Sequence, residues 1–112
     1  MIAIPAASET SARAFYRDLL GLTEIPKPES LACRGGLWLS TGTLAVHLGI
    51  DRDFHPARKA HVALQVDDLD VIRTVLTQHD YLVSPVECEI PGYQRCYVSD
   101  PFGNRIELMA TR

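Results

Sequence analysis

The sequence predicts an α+β fold built from two tandem modules, each running strand, helix, strand, strand, strand. Three observations carry that reading. Two segments, "SETSARAFYRDLLGL" and "DLDVIRTVLTQHD", have apolar residues at helical spacing. A short strand-like run, "IAIP" or "HVALQV", leads into each of them. A shift of 60 positions lays one half of the chain over the other without a gap, matching both strand–helix starts and both terminal strands. The match is one of pattern, since identities under the shift are few.

Taken in order, Ile2-Ala3-Ile4 enters the first helix, whose stripe is Ala12, Phe15, Tyr16, Leu19 and Leu20. Ser8 is placed to cap its free amide groups, and Gly21 suits the left-handed residue that closes it. Three strand-like runs follow: Thr23 to Ile25, "GLWLS" and "LAVHLGI". The polar stretch "DRDFHPARKA", about 51–60, reads as a linker, so that module 1 spans about 1–52 and module 2 about 60–112 of a single domain. In "HVALQV" the side chains alternate, with Val62, Leu64 and Val66 on one face and His61, Ala63 and Gln65 on the other. Asp68 caps the second helix, and Leu69, Ile72, Val75, Leu76 and His79 form its stripe. The remaining strands are "LVSPVECEI", "RCYVSD" and "NRIELMA", the last delivered by the turn in "DPFGN".

The totals narrow the function. A chain of 112 residues with a net charge of −3 lacks the clustered basic surplus that nucleic acid requires. No apolar run is long enough to span a membrane, and Pro5 and Glu9 stand where a signal peptide needs a basic start and an apolar core. Three cysteines, an odd number without C-x-x-C spacing, point to reduced thiols and a cytoplasmic location. No nucleophile elbow, phosphate-cradling glycine loop or Ser-His-Asp arrangement is present.

The aliphatic faces of the first and last strands in each half are Ile2 and Ile4; Val46, Leu48 and Ile50; Val62 and Leu64; Ile106 and Leu108. The opposite faces carry Met1, His47, His61 and Glu107, with 1 matching 61 and 47 matching 107 under the shift. If the halves pack about a pseudo-twofold axis, these side chains converge. Two imidazoles and a carboxylate form a divalent-metal set that leaves positions open for water or substrate. Taken alone, a histidine on a strand is more often structural than a ligand.

Three stretches, "FYRDLLGL", "HVALQVDDLD" and "DPFGNRIEL", in this order and spacing, resemble the vicinal oxygen chelate superfamily. That superfamily includes glyoxalase I, extradiol dioxygenases, fosfomycin-resistance proteins, methylmalonyl-CoA epimerase and bleomycin-resistance proteins. The resemblance implies an open, cupped mixed sheet with helices on its outer face, usually in a homodimer. It also implies a divalent metal (Fe, Mn, Ni, Co or Zn) held by His47, His61 and Glu107, with Glu107 catalytic as well. Met1 departs from the family pattern, which has His there. A thioether is too soft to replace imidazole on Mn²⁺, Fe²⁺ or Mg²⁺. Three readings follow: three protein ligands plus water, a start methionine standing in place of the family histidine, or a metal site reduced to a plain pocket.

The function expected is therefore that of a small metal-dependent enzyme, an isomerase, lyase, epimerase or dioxygenase, that chelates adjacent oxygens of its substrate. His47, in a place where glyoxalases use a carboxylate, weakens a lactoylglutathione lyase assignment. The alternative is a metal-free drug- or metabolite-binding protein of the bleomycin-resistance type. Trp38, Phe54, Tyr93 and Arg95 are the expected substrate contacts, Arg95 by pairing an anionic group. For Trp38 the competing reading is core, and for Tyr93 and Arg95 an exposed loop. His55 and His79 are read as non-catalytic.

Overall fold

Alternating aliphatic residues build both sheets of the computed structural model, which describes residues 1–112 as two units, Met1–Pro56 and Ala57–Arg112. In the first unit, β1 (Ile2–Ile4), β2 (Thr23–Ile25), β3 (Leu37–Ser40) and β4 (Ala45–Ile50) lie in the order β1-β4-β3-β2. Strand β1 is parallel to β4, and the other pairings are antiparallel. The buried residues Ile2, Ile4, Leu37, Leu39, Val46 and Leu48 recur at every second position, as one apolar sheet face demands. Trp38 sits between two of them and is half-buried, outside the core.

The first helical segment differs from its expectation. It is α-helical only over α1 (Glu9–Ala12), then continues as a π-helix through Arg13–Leu19. The i, i+3, i+4 spacing announces the α winding and gives no sign of the i→i+5 bonds that follow. Phe15 and Tyr16 are both fully buried, their rings edge to face with centroids 4.9 Å apart. Ser8 does not cap: its hydroxyl donates to the Pro5 carbonyl at 2.5 Å. Gly21 does take the left-handed conformation, with φ +82°.

In the second unit, β5 (Val62–Gln65), β6 (Tyr93–Ser99) and β7 (Arg105–Thr111) form a sheet in the order β5-β7-β6, with α2 (Leu69–Gln78) against β7. Asp68 caps α2 as expected, accepting from the Val71 amide at 3.2 Å. The fourth strand expected here, "LVSPVECEI", is reduced to two isolated bridges, Val83 with Val98 and Glu87 with Arg95. These are out of step by one residue. Between them Pro85 has no amide hydrogen, and the Tyr97 amide donates to the Ser84 hydroxyl at 2.8 Å instead of to a strand carbonyl. The α+β class of paired modules stands, with the second module's third post-helical strand incomplete.

The registers correct one equivalence. Ile2 pairs with Leu48, which sets Met1 beside His47; Val62 pairs with Ile106 and Ala63 with Glu107. Met1 therefore corresponds to Ala63, not to His61. The place that corresponds to His61 falls two residues ahead of Met1, outside this sequence. A single shift of 60 hides this, because β1 and β5 meet their parallel neighbours at registers two residues apart.

Candidate functional site

In the second unit the site is built on the non-core face of the sheet. Alternation along β7 buries Ile106, Leu108 and Ala110 on one side and leaves Arg105, Glu107 and Met109 on the other. The same alternation on β6 puts Tyr93, Arg95 and Tyr97 on that second face, with Tyr97 directly across from Glu107. The turn into β7 fixes this register. Asp100, 4% exposed, accepts from the amides of Phe102 (2.9 Å) and Asn104 (2.8 Å) and from the Asn104 side chain (2.9 Å).

His61, just ahead of β5, meets Glu107. Its Nδ1 donates to the Lys59 carbonyl at 2.7 Å, and its Nε2 lies 2.9 Å from Glu107 Oε1. Glu107 is buried to 7% side-chain exposure and His61 to 24%, so this is not a solvated surface pair. The Tyr97 ring stands edge-on to His61, with centroids 5.5 Å apart. Arg95 Nη1 lies 3.6 Å from Glu107 Oε2. Burial alone pushes the Glu107 carboxyl up. The His61 hydrogen bond, the Arg95 charge and the Tyr97 hydroxyl outweigh it and hold the group below the usual carboxylate range, so it is ionised.

Arg95 is surrounded by acids. Besides Glu107, it has Glu87 Oε2 at 3.3 Å from Nε and Glu89 Oε2 at 3.7 Å from Nη2. The Glu87 approach is an ion pair without hydrogen-bond alignment, since the buried Nε makes no hydrogen bond. Arg105 is placed differently: its guanidinium carbon sits 4.0 Å over the Tyr97 ring.

In the first unit, His47 on β4 and Trp38 on β3 are cross-strand partners. Trp38 lines a cleft of about 240 Å³ with Arg13, Glu24 and Lys27, which makes its surroundings more polar than an apolar pocket wall. Phe54 is half-buried in the segment after β4. His55 is exposed, 3.8 Å from Asp53, and His79 Nδ1 donates to the Val75 carbonyl at 2.9 Å at the end of α2.

The structure thus brings together His61, Glu107 and Arg95 of the expected residues, and puts Tyr93 on the same face. Tyr97 and Arg105 share that face but escaped the sequence reading. The signal was present in the alternation of "RCYVS" and "NRIEL", which assigns both to the side of Glu107.

No family model matches the chain, and no curated protein matches it. Among solved structures, a glyoxalase family protein from Bacillus anthracis is 42% identical over 99% of this chain and 90% of its own, with a TM-score of 0.91. The chain belongs to the glyoxalase family. Within the wider vicinal oxygen chelate superfamily it shares its fold with a lactoylglutathione lyase from Agrobacterium tumefaciens (21% identity, 98% and 92% coverage, TM-score 0.70). It shares it equally with TnmS3, an antibiotic-binding protein from Streptomyces sp. CB03234 (21%, 99% and 93%, 0.75).

A glyoxalase-family fold implies a divalent ion, and the donors of the second unit can be tested against one. Two ligands at about 2.1 Å from an ion, at neighbouring positions, stand about 3 Å apart. His61 Nε2 and Glu107 Oε1 have that separation. With Nδ1–H donating to the Lys59 carbonyl, Nε2 of the neutral ring carries the lone pair, the usual arrangement behind a ligating histidine. Glu107 Oε2 faces Arg95. These residues fit two adjacent ligand positions. Within either unit, no group of three or more His, Cys, Asp or Glu side chains gathers about one point.

Proposed function

We propose that this chain is a metal-dependent enzyme of the glyoxalase type, acting on a small molecule with adjacent oxygen atoms. The ligands in this reading are His61, Glu107 and His47. The observation that carries it is the buried 2.9 Å approach of His61 Nε2 to Glu107 Oε1, with Nδ1 tied to the Lys59 carbonyl. His47 is included because its place on β4 matches that of Glu107 on β7, each with an aromatic residue directly across in its own sheet. A divalent ion, when bound, supplies Lewis acidity toward a substrate oxygen.

The protein's own groups do the remaining work. Glu107, ionised and buried, is the proposed proton acceptor, taking a proton at Oε2. Arg95, 3.6 Å from Oε2, and the nearby Tyr97 hydroxyl favour the charged form of that carboxylate. Trp38, Phe54 and Tyr93 are the proposed substrate contacts, and Arg95 acts through Glu107. A homodimer belongs to the same reading.

A second reading, a metal-free small-molecule binder, has one observation in its favour: His61 Nε2 and Arg95 already lie against the two oxygens of Glu107. Elemental analysis of the purified protein separates the two. The enzyme reading expects about one divalent ion per chain, lost in both His61→Ala and Glu107→Gln; wild-type protein that stays metal-free after equilibration with Mn²⁺, Ni²⁺ or Zn²⁺ supports the binder.

A further inference from the structure

We infer that Arg105 receives an anionic group of the bound small molecule, so that the substrate class is a small oxyanion. This rests on the reading of the Glu107 face as the substrate site. Two arginines lie on that face, and their surroundings differ. Arg95 has three carboxylates within 3.7 Å, which leaves its charge compensated by its own chain. Arg105 has no carboxylate within 4.0 Å; its neighbour is the π-face of Tyr97.

A guanidinium over an aromatic ring is steadied without being neutralised. Its in-plane N–H groups remain available, in a fork that fits carboxylate and phosphate. The half-buried position reduces screening by water, which strengthens attraction to an incoming anion.

Position completes the argument. Arg105 and Glu107 are two residues apart on β7 and share a face, which separates their Cα atoms by about 7 Å. Tyr97 links the two positions, lying under Arg105 and directly across the ladder from Glu107. A molecule of a few carbon atoms spans that interval with its anion on Arg105 and its reacting oxygens beside Glu107.

The test uses the full chain, with and without Mn²⁺, and three probes: lactate, inorganic phosphate and the neutral propane-1,2-diol. Binding is followed by amide chemical-shift changes. Lactate or phosphate is expected to bind at least tenfold more tightly than the diol, with the Tyr97 and Arg105 amides shifting. Arg105→Gln is expected to erase that preference and Arg105→Lys to restore part of it, while diol binding stays unchanged. Lactate above phosphate identifies a carboxylate, and the reverse a phosphate-type group; either order supports the inference. Unchanged anion preference in a folded Arg105→Gln variant, or no preference in the wild type, overturns it. Metal content, read on the same samples, reports on the proposed function separately: metal-free protein with an intact anion preference sinks only that reading.

Discussion

The indole of Trp38 and the imidazole of His47 lie face to face, with ring centroids 3.9 Å apart and planes 4° from parallel. Stacking covers one face of the imidazole and leaves the ring edge, where the lone pair of the unprotonated nitrogen lies, outside the stack. Trp38 is the chain's one tryptophan, so its emission reports on His47. Divalent ions that bind His47 are expected to change that emission in the wild type and not in His47→Ala. Trp38→Ala is expected to cost about 0.5–1.5 kcal/mol beyond lost burial, measured by urea unfolding.

The two helix starts should respond differently to alanine. Asp68 accepts from the Val71 amide, so Asp68→Ala is expected to lower stability by about 1 kcal/mol. Ser8 serves the Pro5 carbonyl and leaves its helix uncapped, so Ser8→Ala should cost clearly less. Paired denaturation curves decide this, and equal losses would show that Ser8 caps in solution.

Gly36 admits no side chain. Its φ is +79°, and a Cβ there would sit 2.2 Å from the Leu48 carbonyl oxygen, on the strand that carries His47. Gly21 has φ +82° with open space around it. Gly21→Ala should cost about 1–2 kcal/mol from backbone strain alone. Gly36→Ala must add a backbone clash to the same strain, and its urea midpoint should fall well below that of Gly21→Ala.

Acid should weaken the first unit through Glu24. The hydrogen bond from Arg13 Nε, at 2.7 Å, lowers its carboxyl below the ordinary value against an opposing effect of burial, helped by the charges of Arg13 and Arg17. A depressed carboxyl stabilises the fold above its unfolded value, about 4.3, and that contribution disappears as pH falls through the folded value. Both side chains are about one-third exposed, so the neutral-pH difference between wild type and Glu24→Gln should not exceed about 1 kcal/mol. Thermal unfolding between pH 7 and pH 2 should show the two curves converging at the acid end.

The features that local chemistry dictates were legible. Period-2 alternation marked β4, β5 and β7 and assigned His47 and Glu107 to non-core faces, and Asp68 and Gly21 announced their caps. What could not be read depends on partners distant in sequence. The parallel registers that set Met1 against Ala63 rather than His61 are fixed by sheet packing, which leaves no mark in either strand alone. The wider π winding buries Ala12, Phe15 and Tyr16 but leaves Leu19 and Leu20 of the expected stripe only half-buried. The segment around Pro85 alternates like a strand, yet its proline and the Ser84 hydroxyl interrupt the ladder. Arg95 looked free to meet a substrate because Glu87, Glu89 and Glu107 reach it only after folding.

The chain's four histidines make the central claim directly testable. Metal-free protein titrated with paramagnetic Co²⁺ can be followed through the imidazole proton resonances of each residue. The account predicts large shifts at His47 and His61 that saturate near one ion per chain, with His55 and His79 unaffected and the effect abolished in Glu107→Gln. Resonances of His61 that stay in place while Co²⁺ saturates, or that move no more than those of His55 and His79, would contradict it.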